Sequence, residues 1–143
     1  MDTKSSGERT EAVVLAELLK EGYVVLLPFG DNQRYNMVVE SAGRFIRIQC
    51  KTARMRGIAS FSFKVCSTYA HRNRPQRTYR GDADVFAVYL PDNGQVYMIP
   101  VDEVGVSEAR LQLAGSLRKH GRVAESYLLK DWVPSEVSHS GVA

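Results

Sequence analysis

Glu11, Asn36, Gln49 and Lys51 are the residues whose types could do hydrolytic chemistry together. A carboxylate and two amide oxygens are hard donors, the kind that Mg²⁺ takes. A cation held there would polarise a phosphate and lower the pKa of a bound water, and a neighbouring lysine would offset charge building up in the transition state. The ordinary alternative is a solvated strand face, where amides and lysines are common, and a bare Q-x-K specifies little. The decision falls to the elements that position the four residues.

Residues 8–21 read as a helix, because Ala12, Leu15, Ala16, Leu18 and Leu19 recur at helical spacing and Gly22 ends the run. Ser5 or Ser6 could cap its start. Tyr23–Pro28 is a buried-strand pattern, Gly30-Asp31-Asn32 a turn, and Tyr35–Glu40 a second strand. Ser41-Ala42-Gly43 turns the chain into a third strand, Arg44–Thr52. There Ile46, Ile48 and Cys50 alternate with Phe45, Arg47, Gln49 and Lys51, so the last two share a face about 7 Å apart. The turn can bring Asn36 beside Gln49, and the helix can deliver Glu11. Further along, Ile58–Val65 reads as a strand and Tyr69–Tyr79 as a basic loop. Val85–Leu90 and Val96–Pro100 form a hairpin around Pro91-Asp92-Asn93-Gly94, and Val101–Leu117 is expected to hold a short helix from Ser107. This order suits an α/β or α+β domain, a mixed central sheet flanked by helices. One domain over 1–143 is expected, with its core at about 7–133 and a frayed polar tail at 134–143.

The 143 residues are 44% apolar, enough for one buried core. No apolar run reaches the roughly 20 residues that span a bilayer. The start, Met1 to Glu11, is polar and mixed in charge, unlike a signal peptide, so the expected compartment is the cytoplasm. Cys50 and Cys66 lack companions at ligand spacing, and Cys50 reads as a plain core thiol. There is no GxGxxG, no Walker loop and no His-rich cluster, which leaves nucleotide and zinc enzymes without support.

Net charge is only +3, but its distribution is uneven: Ser41 to Arg80 holds ten Lys or Arg and no Asp or Glu. Such a stretch reads as an electropositive surface. Arg47, Arg54, Arg56, Lys64, Arg72, Arg74, Arg77 and Arg80, with Tyr79 among them, are the expected DNA contacts. Phosphate contact is the first expectation for any one of these arginines, and guanine readout the second. His71 reads as solvated or DNA-facing, Asp82 and Asp84 as cap or core-edge carboxylates, and Trp132 as a core or interface aromatic.

The run Gly30-Asp31-Asn32-Gln33-Arg34-Tyr35-Asn36-Met37-Val38-Val39, followed by Arg44-Phe45-Ile46-Arg47-Ile48-Gln49-Cys50-Lys51-Thr52, resembles the PD-(D/E)XK endonucleases associated with group I introns. The opening Gly7-Glu8-Arg9-Thr10-Glu11 is similar, as is Asp84-Val85-Phe86-Ala87-Val88-Tyr89 leading to Val96-Tyr97-Met98-Ile99-Pro100. The resemblance covers about Gly7 to Pro100. It implies a restriction-endonuclease-like core and a homing-type or junction-type nuclease with a Mg²⁺ (or Mn²⁺) site. Glu11, Asn36 and Gln49 match the family's metal-binding positions and Lys51 its catalytic lysine. At position 36 the family carries aspartate, and an amide oxygen there brings no negative charge.

Two functions follow as expectations. One is Mg²⁺-dependent cleavage of double-stranded DNA by a homodimer or homotetramer, since one domain carries one site and two strands need two copies. The other is a DNA-binding protein that keeps the nuclease fold with impaired or lost chemistry. Should Asn36 lie outside the metal shell, Asp31 becomes the better candidate.

Overall fold

The computed structural model describes residues 3–30, 32–67, 77–114 and 122–134. Helix α1 spans Thr3–Lys20, beginning earlier than the expected 8–21, so Ser5 and Ser6 lie inside it rather than capping it. Val14 and Leu18, four residues apart, are fully buried on its inner side. It closes with Gly22 at φ +86°, the Gly22 N–H on Leu19 O and the Tyr23 N–H on Leu18 O. This paired arrangement satisfies the last carbonyls and needs the left-handed backbone that glycine adopts freely.

Among the described residues ten strands follow: β1 (Val24–Leu26), β2 (Met37–Ser41), β3 (Arg44–Thr52), β4 (Arg54–Arg56), β5 (Ser60–Lys64), β6 (Cys66–Ser67), β7 (Arg77–Thr78), β8 (Val85–Leu90), β9 (Gln95–Pro100) and β10 (Glu108–Gln112). The main sheet has the order β1-β2-β3-β8-β9. β3 and β8 run parallel and the other neighbours antiparallel, so the sheet is mixed. The β2–β3 turn is a two-residue hairpin with Ala42 at φ +52° and Gly43 at φ +77°. Two positive φ values are what the right-handed twist of a tight hairpin demands.

Strand alternation sends alternate side chains into two cores. On one face α1 covers Met37, Val39, Ile46, Ile48, Val85 and Ala87. On the other, Phe86, Val88, Tyr97 and Ile99 pack against Phe61, Phe63 and Leu111 of a second sheet, ordered β10-β5-β4. The domain is α+β, with a mixed sheet and one α-helix among the described residues.

Position 107 onward departs from expectation. The short helix from Ser107 is absent; Glu108–Gln112 is strand β10, antiparallel to β5, with only a 3₁₀ turn at Val101–Glu103 before it. The residues alternate in burial, Ala109 and Leu111 inward and Glu108 and Arg110 outward, and that two-residue period fits a strand over a core better than a helix. The Ile58–Val65 strand is shorter, at Ser60–Lys64, and pairs with β4, which no expectation covered. The basic loop lies largely outside the described residues, between the paired β6 and β7, as does the tail from 135 onward.

Candidate active site

The β2–β3 register places Met37 opposite Ile48, so Asn36 comes beside Gln49. Asn36 is held there from both ends. Its backbone N–H donates to Ile48 O at 2.7 Å, and its Oδ1 accepts the Cys50 N–H at 2.7 Å. The backbone donor settles which amide atom faces the strand. The other atom, Nδ2, donates to Glu11 Oε1 at 2.6 Å. Glu11 is delivered by α1, on the same stripe as the buried Val14 and Leu18, and the Thr10 hydroxyl ties the helix to Thr52 on β3 at 2.6 Å. Burial, then the nearby Glu8, raises the Glu11 carboxyl above its ordinary range. A cleft of about 320 Å³ opens onto Glu11 and Asn36.

Gln49 and Lys51 form a second group. Gln49 Nε2 and Lys51 Nζ approach the Tyr79 hydroxyl at 3.5 and 3.3 Å. Lys51 Nζ sits 4.6 Å from the Tyr79 ring centroid and Arg34 Cζ 4.1 Å from it. Burial, reinforced by Arg34 and Lys64 and partly offset by Cys66, lowers the Lys51 pKa to about 8. Tyr79 also meets Phe86 edge-on, centroids 5.6 Å apart. The Cys50 amide links the groups, since it lies between Gln49 and Lys51 and donates to Asn36.

Arg34 was not singled out in the sequence. Its guanidinium donates to Asp82 Oδ2 at 2.6 Å, Ser67 Oγ at 2.8 Å, Arg77 O at 3.1 Å and Thr78 O. It therefore pins the segment leading to Asn36 onto β6, β7 and Tyr79. Its position two residues before Asn36 was the only available signal.

The donor set does not fit a strong Mg²⁺ site as arranged. Among the described residues Glu11 is the single carboxylate of the set, and an N–H donor faces its oxygen where a cation would have to sit. The Asn36 oxygen is engaged by a backbone amide. Mg²⁺ demands near-ideal octahedral oxygen geometry and favours anionic ligands. Among the described residues no three Asp, Glu, His or Cys gather in metal-binding array. Asp31 lies outside the described residues.

The basic residues divide. Arg47 is bidentate on Asp84, with Nε and Nη2 each at 3.1 Å, and also donates to Gly81 O at 2.9 Å. Arg56 pairs with Glu108 at 2.8 Å and Arg77 with Asp82 at 3.3 Å, and Arg80 donates to Val104 O at 2.8 Å. Arg54 and Lys64 are exposed. Tyr79, expected at the DNA face, is only 6% exposed and turned inward. Arg72, Arg74 and His71 lie outside the described residues.

A family model described as PD-(D/E)XK endonuclease matches residues 1–130. A solved structure, that of the bacterial homing endonuclease I-Ssp6803I, superposes with a TM-score of 0.76 at 25% identity, over 90% of this chain and 89% of that one. No curated protein matches significantly.

Proposed function

The chain belongs to the PD-(D/E)XK endonuclease family, and we propose that it binds double-stranded DNA and retains the nuclease framework with its metal-dependent hydrolysis impaired at Asn36. The observation that carries this reading is the 2.6 Å hydrogen bond from Asn36 Nδ2 to Glu11. An amide donor there takes the place of the charge that would tie two carboxylates together. The DNA half of the reading rests on the family and on the basic surface. Glu11, Asn36 and Gln49 are the positions that would hold a cation. Lys51, against the Tyr79 ring, is the residue that would face the phosphate. Cutting both strands would need at least two copies, a homodimer or homotetramer, and a homing role beside a group I intron is the biological setting we favour.

A second reading is full Mg²⁺- or Mn²⁺-dependent endonuclease activity. It is favoured by the intact Gln49–Lys51 pair, whose partly neutral lysine suits proton handling near neutral pH. Nicking of supercoiled plasmid with each metal separates the two. Little or no nicking at millimolar Mg²⁺, with DNA still bound, is the expected result, and rapid nicking overturns the first reading. With about six phosphate contacts, log affinity should fall with log salt at a slope near −5, from ~0.9 per contact. A flat salt response would argue against a nucleic-acid partner.

A further inference from the structure

The strand that replaced the expected helix creates a surface that the sequence does not display. β10 is in register with β5, and β5 with β4, so that Arg110, Ser62 and Arg54 lie in one row across three strands. Phe61, Phe63, Ala109 and Leu111 take the inner side. The outer side therefore carries Arg54, Arg56, Lys64 and Arg110 against one carboxylate, Glu108. That carboxylate is already engaged by Arg56 at 2.8 Å. Arg34, Arg47 and Arg77 each have an aspartate, whereas Arg54 and Arg110 are exposed and in no ion pair among the described residues, although Arg110 is near enough to Glu108 to help lower its carboxyl. The buried Ser62, whose hydroxyl accepts from Arg56 Nε at 2.7 Å, keeps the middle of the row low, so the flanking guanidiniums stand above it.

We propose that the outer face of the β4–β5–β10 sheet is a docking surface for the phosphate backbone of duplex DNA, separate from the Glu11–Lys51 site. The proposal rests on the DNA-binding reading and adds a surface to it. Charge complementarity selects the occupant: like charges collected on one face with one engaged acid favour a polyanion. Spacing selects the mode. Adjacent strands are about 4.8 Å apart, so Arg54 and Arg110 stand ~10 Å apart across the sheet. A major groove ~12 Å wide admits two strands and not a three-stranded face, so the arginines meet phosphates rather than base edges. The face is the side of this sheet opposite Phe61, Phe63 and Leu111, which pack on the main sheet; its Lys64 end is near enough to Lys51 to affect that amine, whereas Arg54 and Arg110 are assigned to affinity and not to the chemical step.

The test is fluorescence-anisotropy binding of a 30-base-pair duplex, without divalent metal, between 50 and 200 mM salt. It compares the parent, Arg54→Ala/Arg110→Ala and Arg110→Gln. The double variant should flatten the slope by ~1.8 and the single one by ~0.9, with unchanged thermal melting. If the parent binds with a steep slope and both variants match it, this proposal fails while the DNA reading stands. If the parent binds no DNA, the DNA reading fails and takes this one with it. If the double variant keeps its slope but dissociates an oligomer on size exclusion, the face is a contact between copies, and the proposal is overturned.

Discussion

Replacing Asn36 by Asp puts an oxygen where Nδ2 now stands, 2.6 Å from Glu11 Oε1. The loss of that charge-assisted hydrogen bond costs about 1 kcal/mol at a solvent-exposed site, below the 1.5–3 kcal/mol of buried cases. Two carboxylates at ~4 Å repel by about 1 kcal/mol in water and ~4 at an effective dielectric of 20; the exposure of Glu11 keeps the figure near the lower end. Without metal the variant should therefore be about 2 kcal/mol less stable, roughly 6 °C in Tm for a domain of this size. The deficit should shrink on acidification. A carboxyl whose folded pKa is raised binds more protons in the native state, so its stability contribution falls as pH rises through that pKa. Mg²⁺ should reverse the loss, since a cation at a hundred times its Kd adds about 2.7 kcal/mol. The assays are thermal melting in EDTA and in Mg²⁺, then plasmid nicking across a Mg²⁺ titration. The parent's Tm should ignore Mg²⁺, and the variant's should climb as nicking appears. Lys51→Ala in the variant should abolish nicking yet keep the Mg²⁺-dependent rise in Tm. An Asn36→Asp protein with parental Tm in EDTA and no response to Mg²⁺ would refute the reasoning and remove Asn36 from the metal shell.

Three further outcomes follow from the same geometry. Lys51→Met should stabilise the protein at pH 7 by about 1–2 kcal/mol, because burial disfavours the charged amine. The native state sheds that proton near pH 8, while the unfolded chain keeps it to about 10.4. The parent therefore gains stability across that interval and the advantage of Met should vanish by its end; denaturant melts at pH 7, 9 and 10.5 check the trend. Arg47→Ala should cost about 1–3 kcal/mol by leaving Asp84, which is 11% exposed at its side chain, unpaired, while changing the salt slope of DNA binding by less than one contact. Tyr79→Phe should cost under about 1.5 kcal/mol and keep the Arg34 stack. In the Asn36→Asp background it should lower the nicking rate more than it weakens DNA binding, and an equal loss of both would mean that the hydroxyl does not position Gln49 and Lys51.

The framework around the site was legible because local patterns and tertiary demands agree there. β3 spans the expected Arg44–Thr52, since its alternation puts Ile46, Ile48 and Cys50 into the core under α1 and Arg47, Gln49 and Lys51 on the other face, and the Ala42-Gly43 turn has the backbone its length requires. β10 was misread because Leu111, Ala114 and Leu117 also satisfy a helical spacing. What decides is the pairing with β5, forty-odd residues earlier. β4 is three residues long and leaves almost no periodic trace. Tyr79 was read by its basic neighbours as a DNA-facing ring, whereas its own neighbours in space are Phe86, Lys51 and Arg34. A single aromatic between arginines does not reveal which way it points.

The acid-free run from Ser41 to Arg80 illustrates the limit of reading charge along a chain. Its bounds stop just short of Asp82 and Asp84, and these two fold back onto Arg77 and Arg47, while Asp82 also holds Arg34. Glu108, nearly thirty residues on, takes Arg56. Three of the run's ten cations, Arg47, Arg56 and Arg77, are thereby paired with acids that lie outside it, and Arg47 and Arg77 hold the start of β8 and the β6–β7 region in place. Arg54, inside the run, and Arg110, outside it, are exposed and in no ion pair among the described residues, Arg110 sharing the field of a Glu108 already bound by Arg56. Electrostatic attraction depends on distance in space, with a Debye length of about 10 Å at 0.1 M salt, so the working surface consists of what the fold leaves uncompensated. By that criterion Arg54 and Arg110 weigh more for a polyanionic partner than Arg47 or Arg77, although the sequence run put Arg54 on a par with those two and left Arg110 out.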